Sequence, residues 1–232
     1  MIANLIKRMR GSVVVSPATV AVGRYAKKQN GGATMEKTYY MPLWAVMGNA
    51  RSQNGWLDQP VTEAQLRAVH DLAKWAPTSM NCQPLRILFL QSMEMKQRLA
   101  PALAPTNVAK VLSAPVVAIL AYDNKFYDLL PEIFAHRPEA RDYYAGPEKA
   151  VHAETAALRN SSIQATYFML AARAIGLDCG PISGFKNAVV DAEFFAGTAM
   201  KSNFLCCLGK GDPTKVYDRL PRLAFDRVCQ II

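Results

Sequence analysis

The chain is short of the features that usually announce chemistry. It has three histidines and five cysteines in 232 residues. The cysteines, at 82, 179, 206, 207 and 229, are odd in number and include no C-x-x-C pair. That excludes a secreted disulfide framework and a zinc ribbon. Neither G-x-G-x-x-G nor G-x-x-x-x-G-K-[ST] occurs, so the common phosphate cradles of nucleotide-binding proteins are missing. Gly180-Pro-Ile-Ser183-Gly184 misses the G-x-S-x-G spacing of a serine hydrolase by one residue. His152-Ala-Glu154 imitates the H-x-E of zinc deaminases without the later P-C-x-x-C, and two residues apart on a helix they face different ways. No metal site is expected, and His70 and His136 belong to no motif. The longest apolar run, residues 114–122 (APVVAILAY), is about half the length of a membrane-spanning helix, so no span is expected.

What is present is an ordinary globular composition, 51% hydrophobic and 19% charged, enough for one sizeable core. The net charge of +9 is unevenly spread. Residues 1–34 carry six Lys and Arg and no acid, and the rest of the chain is nearly balanced. A nucleic-acid partner is therefore not expected. Residues 1–34 read as a basic, disordered tail or as the product of a start upstream of Met35, and residues 35–232 as one domain. Cysteine usage fits a reducing, cytoplasmic setting.

Along the domain, helix and strand signals alternate. Residues 61–76 open on the capping-box pattern Thr62-x-x-Gln65, carry a helical apolar stripe and meet Pro77. Residues 86–90 read as a strand, 93–103 as a helix and 114–122 as a buried strand. A long helix over residues 148–175, stopped by Gly176, is apolar on more than one side in its second half. Residues 204–208 (FLCCL) read as a strand with Cys206 and Cys207 as core residues, and the end (DRLPRLAFDRV) as an extended basic arm. The alternation predicts a layered α/β or α+β domain.

Four separated segments are rich in small, amide, hydroxyl or guanidinium groups: residues 51–54 (RSQN), 77–84 (PTSMNCQP), 180–185 (GPISGF) and 219–222 (RLPR). Together they suit a phosphorylated, polyhydroxylated, partly aromatic ligand. Taken singly, each reads more readily as ordinary turn chemistry than as a functional loop. Their order, with ARSQNGW, KWAPTSMNCQP, LRNSSIQA and KSNFL around them, resembles the FMN-dependent nitroreductase family over residues 40–232. The resemblance is strongest to its malonic semialdehyde reductase branch, which serves pyrimidine degradation.

The resemblance implies an α+β fold with a central, mostly antiparallel sheet flanked by helices, and an intertwined homodimer holding FMN in its interface. Arg51, Ser52 and Gln53 match the family's Arg-Arg-Ser-type start, which grips the FMN phosphate and ribityl chain. Ser52 and Gln53 depart from its commonest form. Asn81 and Gln83 match the loop that reaches the ribityl chain and ring edge. Ser183 and Gly184 match the turn whose N–H groups face the flavin, and Arg219 and Arg222 both fit the C-terminal phosphate contact. It also implies ping-pong hydride transfer from NADPH or NADH through the flavin, with no catalytic side chain. The acceptor would be malonic semialdehyde, with Arg86, Arg159 and Lys201 as candidate cations for its carboxylate; nitroaromatics and quinones are the alternative acceptors.

Overall fold

The computed structural model describes residues 41–232. The basic segment 1–34 and its expected boundary lie outside the described residues. Helix α1 (Leu43–Met47) precedes α2 (Glu63–Ala73), strand β1 (Leu85–Leu90), α3 (Met93–Leu99), α4 (Pro105–Ser113) and β2 (Val116–Asp123). A run of short turns containing α5 (Leu130–Ile133) leads to the long α6 (Ala150–Ala174). Then come β3 (Asp178–Ile182), α7 (Asn187–Phe194), β4 (Met200–Gly209) and, in the C-terminal arm, α8 (Phe225–Val228).

The strands form one sheet in the order β1-β2-β4-β3, antiparallel at every pairing. Alternation along the strands divides the core into two layers. Val116, Ala118 and Leu120 of β2, with Cys206 and Leu208 of β4, pack under Phe168 and Ala172 of α6 and Val69 of α2. Val117, Ile119 and Ala121, with Leu205 and Cys207, face Leu99, Val111 and Val190 of α3, α4 and α7. The sheet is thus sandwiched between helices, and β2 is buried on both faces, as its unbroken apolar run predicts. Burial pushes the Cys207 thiol up to about 12, and a hydrogen bond with Cys179 followed by burial holds Cys206 well above the ordinary range, so both behave as small apolar residues rather than nucleophiles.

Local signals place most boundaries. Thr62 and Gln65 make the reciprocal capping box at the start of α2. Gly176 takes φ +87° just past α6, while the Leu177 N–H returns to the Ala172 carbonyl, a left-handed helix stop. The helix expected over 93–103 is broken. Pro101 turns its last residues into a 3-10 segment, and a separate helix starts at Pro105. Residues 180–182, expected within the loop 180–185, belong to the edge strand β3 (Asp178–Ile182). Pro181 is tolerated at an edge, and Gly180 is needed because a Cβ there would lie 2.7 Å from the Gln53 carbonyl oxygen.

A third core cluster joins the region 126–144 to the start of α6. Phe126, Leu130 and Tyr144 pack with Cys82, Ala153 and Ala157. Beyond Gly211 the chain leaves the domain as an arm whose Tyr217, Leu220 and Ile231 are 78, 74 and 88% exposed. Trp44 of α1 is likewise 72% exposed.

Candidate active site

The nine residues singled out from the sequence fall into two groups on opposite edges of the sheet. At the β3 edge, Ser52 bridges Cys179 and the Gln53 N–H donates to the Cys179 carbonyl, so the segment lies along the outer side of β3. Ser183 and Gly184 continue from the end of that strand. Arg51 donates to the Tyr217 carbonyl, and Arg219 donates back to the Gly48 carbonyl at 2.8 Å. The root of the C-terminal arm is thereby laced to residues 48–51. Arg222 donates only to Leu220 and Pro221 of its own arm, which separates it from Arg219. Neither Arg51 nor Arg219 has an ion-pair partner among the described residues. Two adjacent guanidinium groups without a carboxylate are suited to an external anion.

Gln53 is placed differently from the others. It is 7% exposed, its side chain packs against Gly211, and its Oε1 is buried without a hydrogen-bond partner. Ser183 and Gly184, by contrast, are exposed. The Gly184 carbonyl takes the Ala104 N–H at 2.9 Å and Asn107 Nδ2 at 3.0 Å, while its N–H donates to nothing among the described residues. The peptide that follows Gly184 is thus held from behind, and the Gly184 N–H, which belongs to the preceding peptide, is left over as a donor.

At the other edge, Asn81 and Gln83 lie in the turn that feeds β1. Its backbone is strained, with Met80, Asn81 and Gln83 at φ 51°, 52° and 40°, a left-handed region that costs non-glycine residues of order 1 kcal/mol or more each. The surroundings hold it there. Asn160 of α6, nearly fully buried, accepts the Ser79 N–H at 2.9 Å, and Gln164 one helical turn later accepts the Leu85 N–H at 3.0 Å. Asn81 donates to the Ile133 carbonyl and accepts from Gln83 Nε2. Asn160 and Gln164 were not singled out from the sequence. The signal is two amides spaced i, i+4 on a helix whose buried residues are otherwise apolar apart from Ser161. Asn160→Ala is expected to lower stability by about 1 kcal/mol, because the Ser79 N–H loses its acceptor in a part-buried bond. Chemical denaturation measures this, and amide exchange at Ser79 should accelerate in parallel.

The loops therefore do not converge within one copy of the chain. Three strand spacings of about 4.8 Å separate β1 from β3. The candidate cations also differ. Arg86 pairs with Asp123 at 3.0 Å, and Lys201 with Glu154 at 2.9 Å. The Lys201 ammonium holds the Glu154 carboxyl below its ordinary range. Arg159 is exposed and has no partner among the described residues. Burial and the neighbouring Glu154 push the Tyr122 phenol up to about 12, which keeps it a hydrogen-bond donor to that carboxylate at neutral pH. His152 stacks on Tyr144 in an exposed position. Among the described residues no three His, Cys, Asp or Glu side chains cluster as metal ligands, and no helix is long and apolar enough to cross a membrane.

Known proteins share both the sequence and the fold. The profile of the nitroreductase family matches residues 49–210. A Ralstonia pickettii protein named as the NADH dehydrogenase/NAD(P)H nitroreductase HadB is 57% identical over 194 residues, covering 84% of this chain and 99% of its own. A Cupriavidus pinatubonensis relative named in the same way is 52% identical over 186 residues, 80% of this chain and 95% of its own. Among solved structures, one from Exiguobacterium sibiricum, described as a nitroreductase in complex with FMN, superposes with a TM-score of 0.73 at 23% identity, covering 83% of this chain and 98% of that one. YdfN of Bacillus subtilis, described as a nitroreductase, gives 0.74 at 21% identity, covering 81% and 97%. The antiparallel sheet, its helical layers and the matched length agree: the chain belongs to the nitroreductase family.

Proposed function

We propose that the chain is an FMN-dependent NAD(P)H oxidoreductase acting as a homodimer, with malonic semialdehyde as acceptor and 3-hydroxypropanoate as product. The observation that carries the flavin reading is the donor set on the β3 edge: two guanidinium groups without carboxylates among the described residues, and the Gly184 N–H left free beside a clamped carbonyl. Arg51 and Arg219 would hold the phosphate, Ser52, Asn81 and Gln83 the ribityl chain, and the Gly184 N–H the polar edge of the ring. Gln53, buried against Gly211, would support Ser52 from beneath.

When bound, FMN supplies a two-electron relay between a nicotinamide and a second substrate. The chain's own groups position and stabilise. The Gly184 N–H is a fixed dipole aimed outward, and the paired arginines keep positive charge beside the site without reorganising. Over a full cycle NAD(P)H loses a hydride, the aldehyde carbon gains one, and the carbonyl oxygen takes a proton from solvent. No nucleophile is required, in keeping with buried thiols held protonated, Cys82 among them at about 11.

The homodimer is supported by the division of the matched loops between opposite sheet edges and by the arm, whose apolar residues find no cover on their own domain. A second reading, reduction of nitroaromatics or quinones, is favoured by the names of the relatives.

The test is a visible spectrum of purified protein before and after anaerobic NADPH or NADH. A flavin band that bleaches and returns on addition of malonic semialdehyde supports the first reading. Return only with nitrofurazone or a quinone supports the second, and a colourless protein that cannot be loaded with FMN defeats both.

A further inference from the structure

Three cations stand near the strained turn and the adjoining strand ends, and two are already committed. Arg86 gives one nitrogen to Asp123 and another to the carbonyls of Gln83 and Leu85, each at 3.0 Å. It closes the turn from the strand side. Lys201 is held by Glu154, whose carboxylate also takes the Tyr122 hydroxyl.

Arg159 differs in both charge balance and place. It directly precedes Asn160, the residue that holds Ser79, and so stands at the rim of the turn bearing Asn81 and Gln83. Its positive charge is felt at the Tyr144 phenol on the same rim. One helical turn on, Ile163 stands partly exposed on the same side of α6. α6 runs for 25 residues and packs on the sheet, so the guanidinium hangs from a rigid support. A planar fork with no partner among the described residues is matched best by the two oxygens of a carboxylate.

We infer that Arg159 recognises the carboxylate of the substrate and makes the site selective for short aldehydes that carry one. The inference rests on the oxidoreductase reading and adds to it the residue that sets substrate class.

The experiment uses full-length, FMN-loaded protein with Arg159→Gln and Arg159→Lys. The ratio of kcat/KM for malonic semialdehyde to kcat/KM for propanal should fall about 10- to 100-fold in the glutamine variant, and less in the lysine variant, which keeps the charge but loses the fork. Binding of malonate, followed by calorimetry without any turnover, should weaken at least about tenfold in the glutamine variant. An unchanged ratio with undiminished malonate binding overturns the assignment. A wild-type protein that holds FMN and oxidises NADPH, yet neither prefers the semialdehyde to propanal nor binds malonate, overturns it too and leaves the oxidoreductase standing. If the wild type cannot be loaded with FMN, the underlying reading falls instead, and the malonate titration alone decides for or against Arg159.

Discussion

Alanine in place of Arg51 or Arg219 is expected to weaken FMN binding about 10- to 100-fold each, whereas Arg222→Ala should change it less than about threefold. The scale follows from charge-assisted hydrogen bonds, worth about 1.5–3 kcal/mol when one partner is removed. The asymmetry follows from placement. Arg51 and Arg219 meet where residues 48–51 join the root of the arm, and Arg222 reaches only carbonyls of its own arm. Arg51→Lys separates charge from geometry, since lysine keeps the positive charge but cannot present a fork. Fluorescence titration of apo-protein with FMN measures all four variants, and their melting temperatures without flavin control for loss of fold. Equal affinity in Arg51→Ala and wild type would remove Arg51 from the phosphate contact.

Ending the chain after Val216 is expected to yield a monomer that does not retain flavin. The arm exposes Tyr217, Leu220, Leu223, Phe225 and Val228, each more than half accessible. Apolar groups in that number, on an extended segment carrying only the four-residue α8, are poorly accounted for unless another surface covers them. In the proposed homodimer that surface is a second copy. Truncation also removes Arg219 and the Tyr217 carbonyl that fixes Arg51. Sedimentation velocity and the flavin absorbance of the purified protein report the two consequences separately. A truncated chain that remains a flavin-loaded dimer would contradict the role given to the arm.

The parts of the fold legible in the sequence were those written in local chemistry. The Thr62–Gln65 box, the Gly176 stop and the unbroken apolar run of β2 each act within a few residues, and all three appear where expected. The parts that escaped depend on distant neighbours. β3 reads as a turn because of Gly180 and Pro181, yet it is a strand because the edge of the sheet needs neither a Cβ at 180 nor a donor at 181. Pro101 is plain in the sequence, but whether it bends a helix or ends it depends on the packing around it, and here it ends the helix in a 3-10 turn.

The site followed the same rule. Motif residues such as Asn81 and Gly184 stand out as residue types, while Asn160 and Gln164, which hold the turn from α6, look like ordinary helix amides. Nor does any spacing reveal that Arg86 and Lys201 are consumed by Asp123 and Glu154, since those pairs are 37 and 47 residues apart in sequence.

The opposed placement of the two residue groups carries a genetic consequence. In the proposed dimer each flavin site draws Arg51, Ser52, Gly184 and Arg219 from one copy and Asn81 and Gln83 from the other. Lesions at the two edges then belong to different complementation classes. A copy damaged at Arg51 and a copy damaged at Asn81 each give two impaired sites alone, but paired together they rebuild one intact site and leave its twin doubly broken. Two lesions at the same edge offer no such rescue, because every site in the mixed pair keeps one of them.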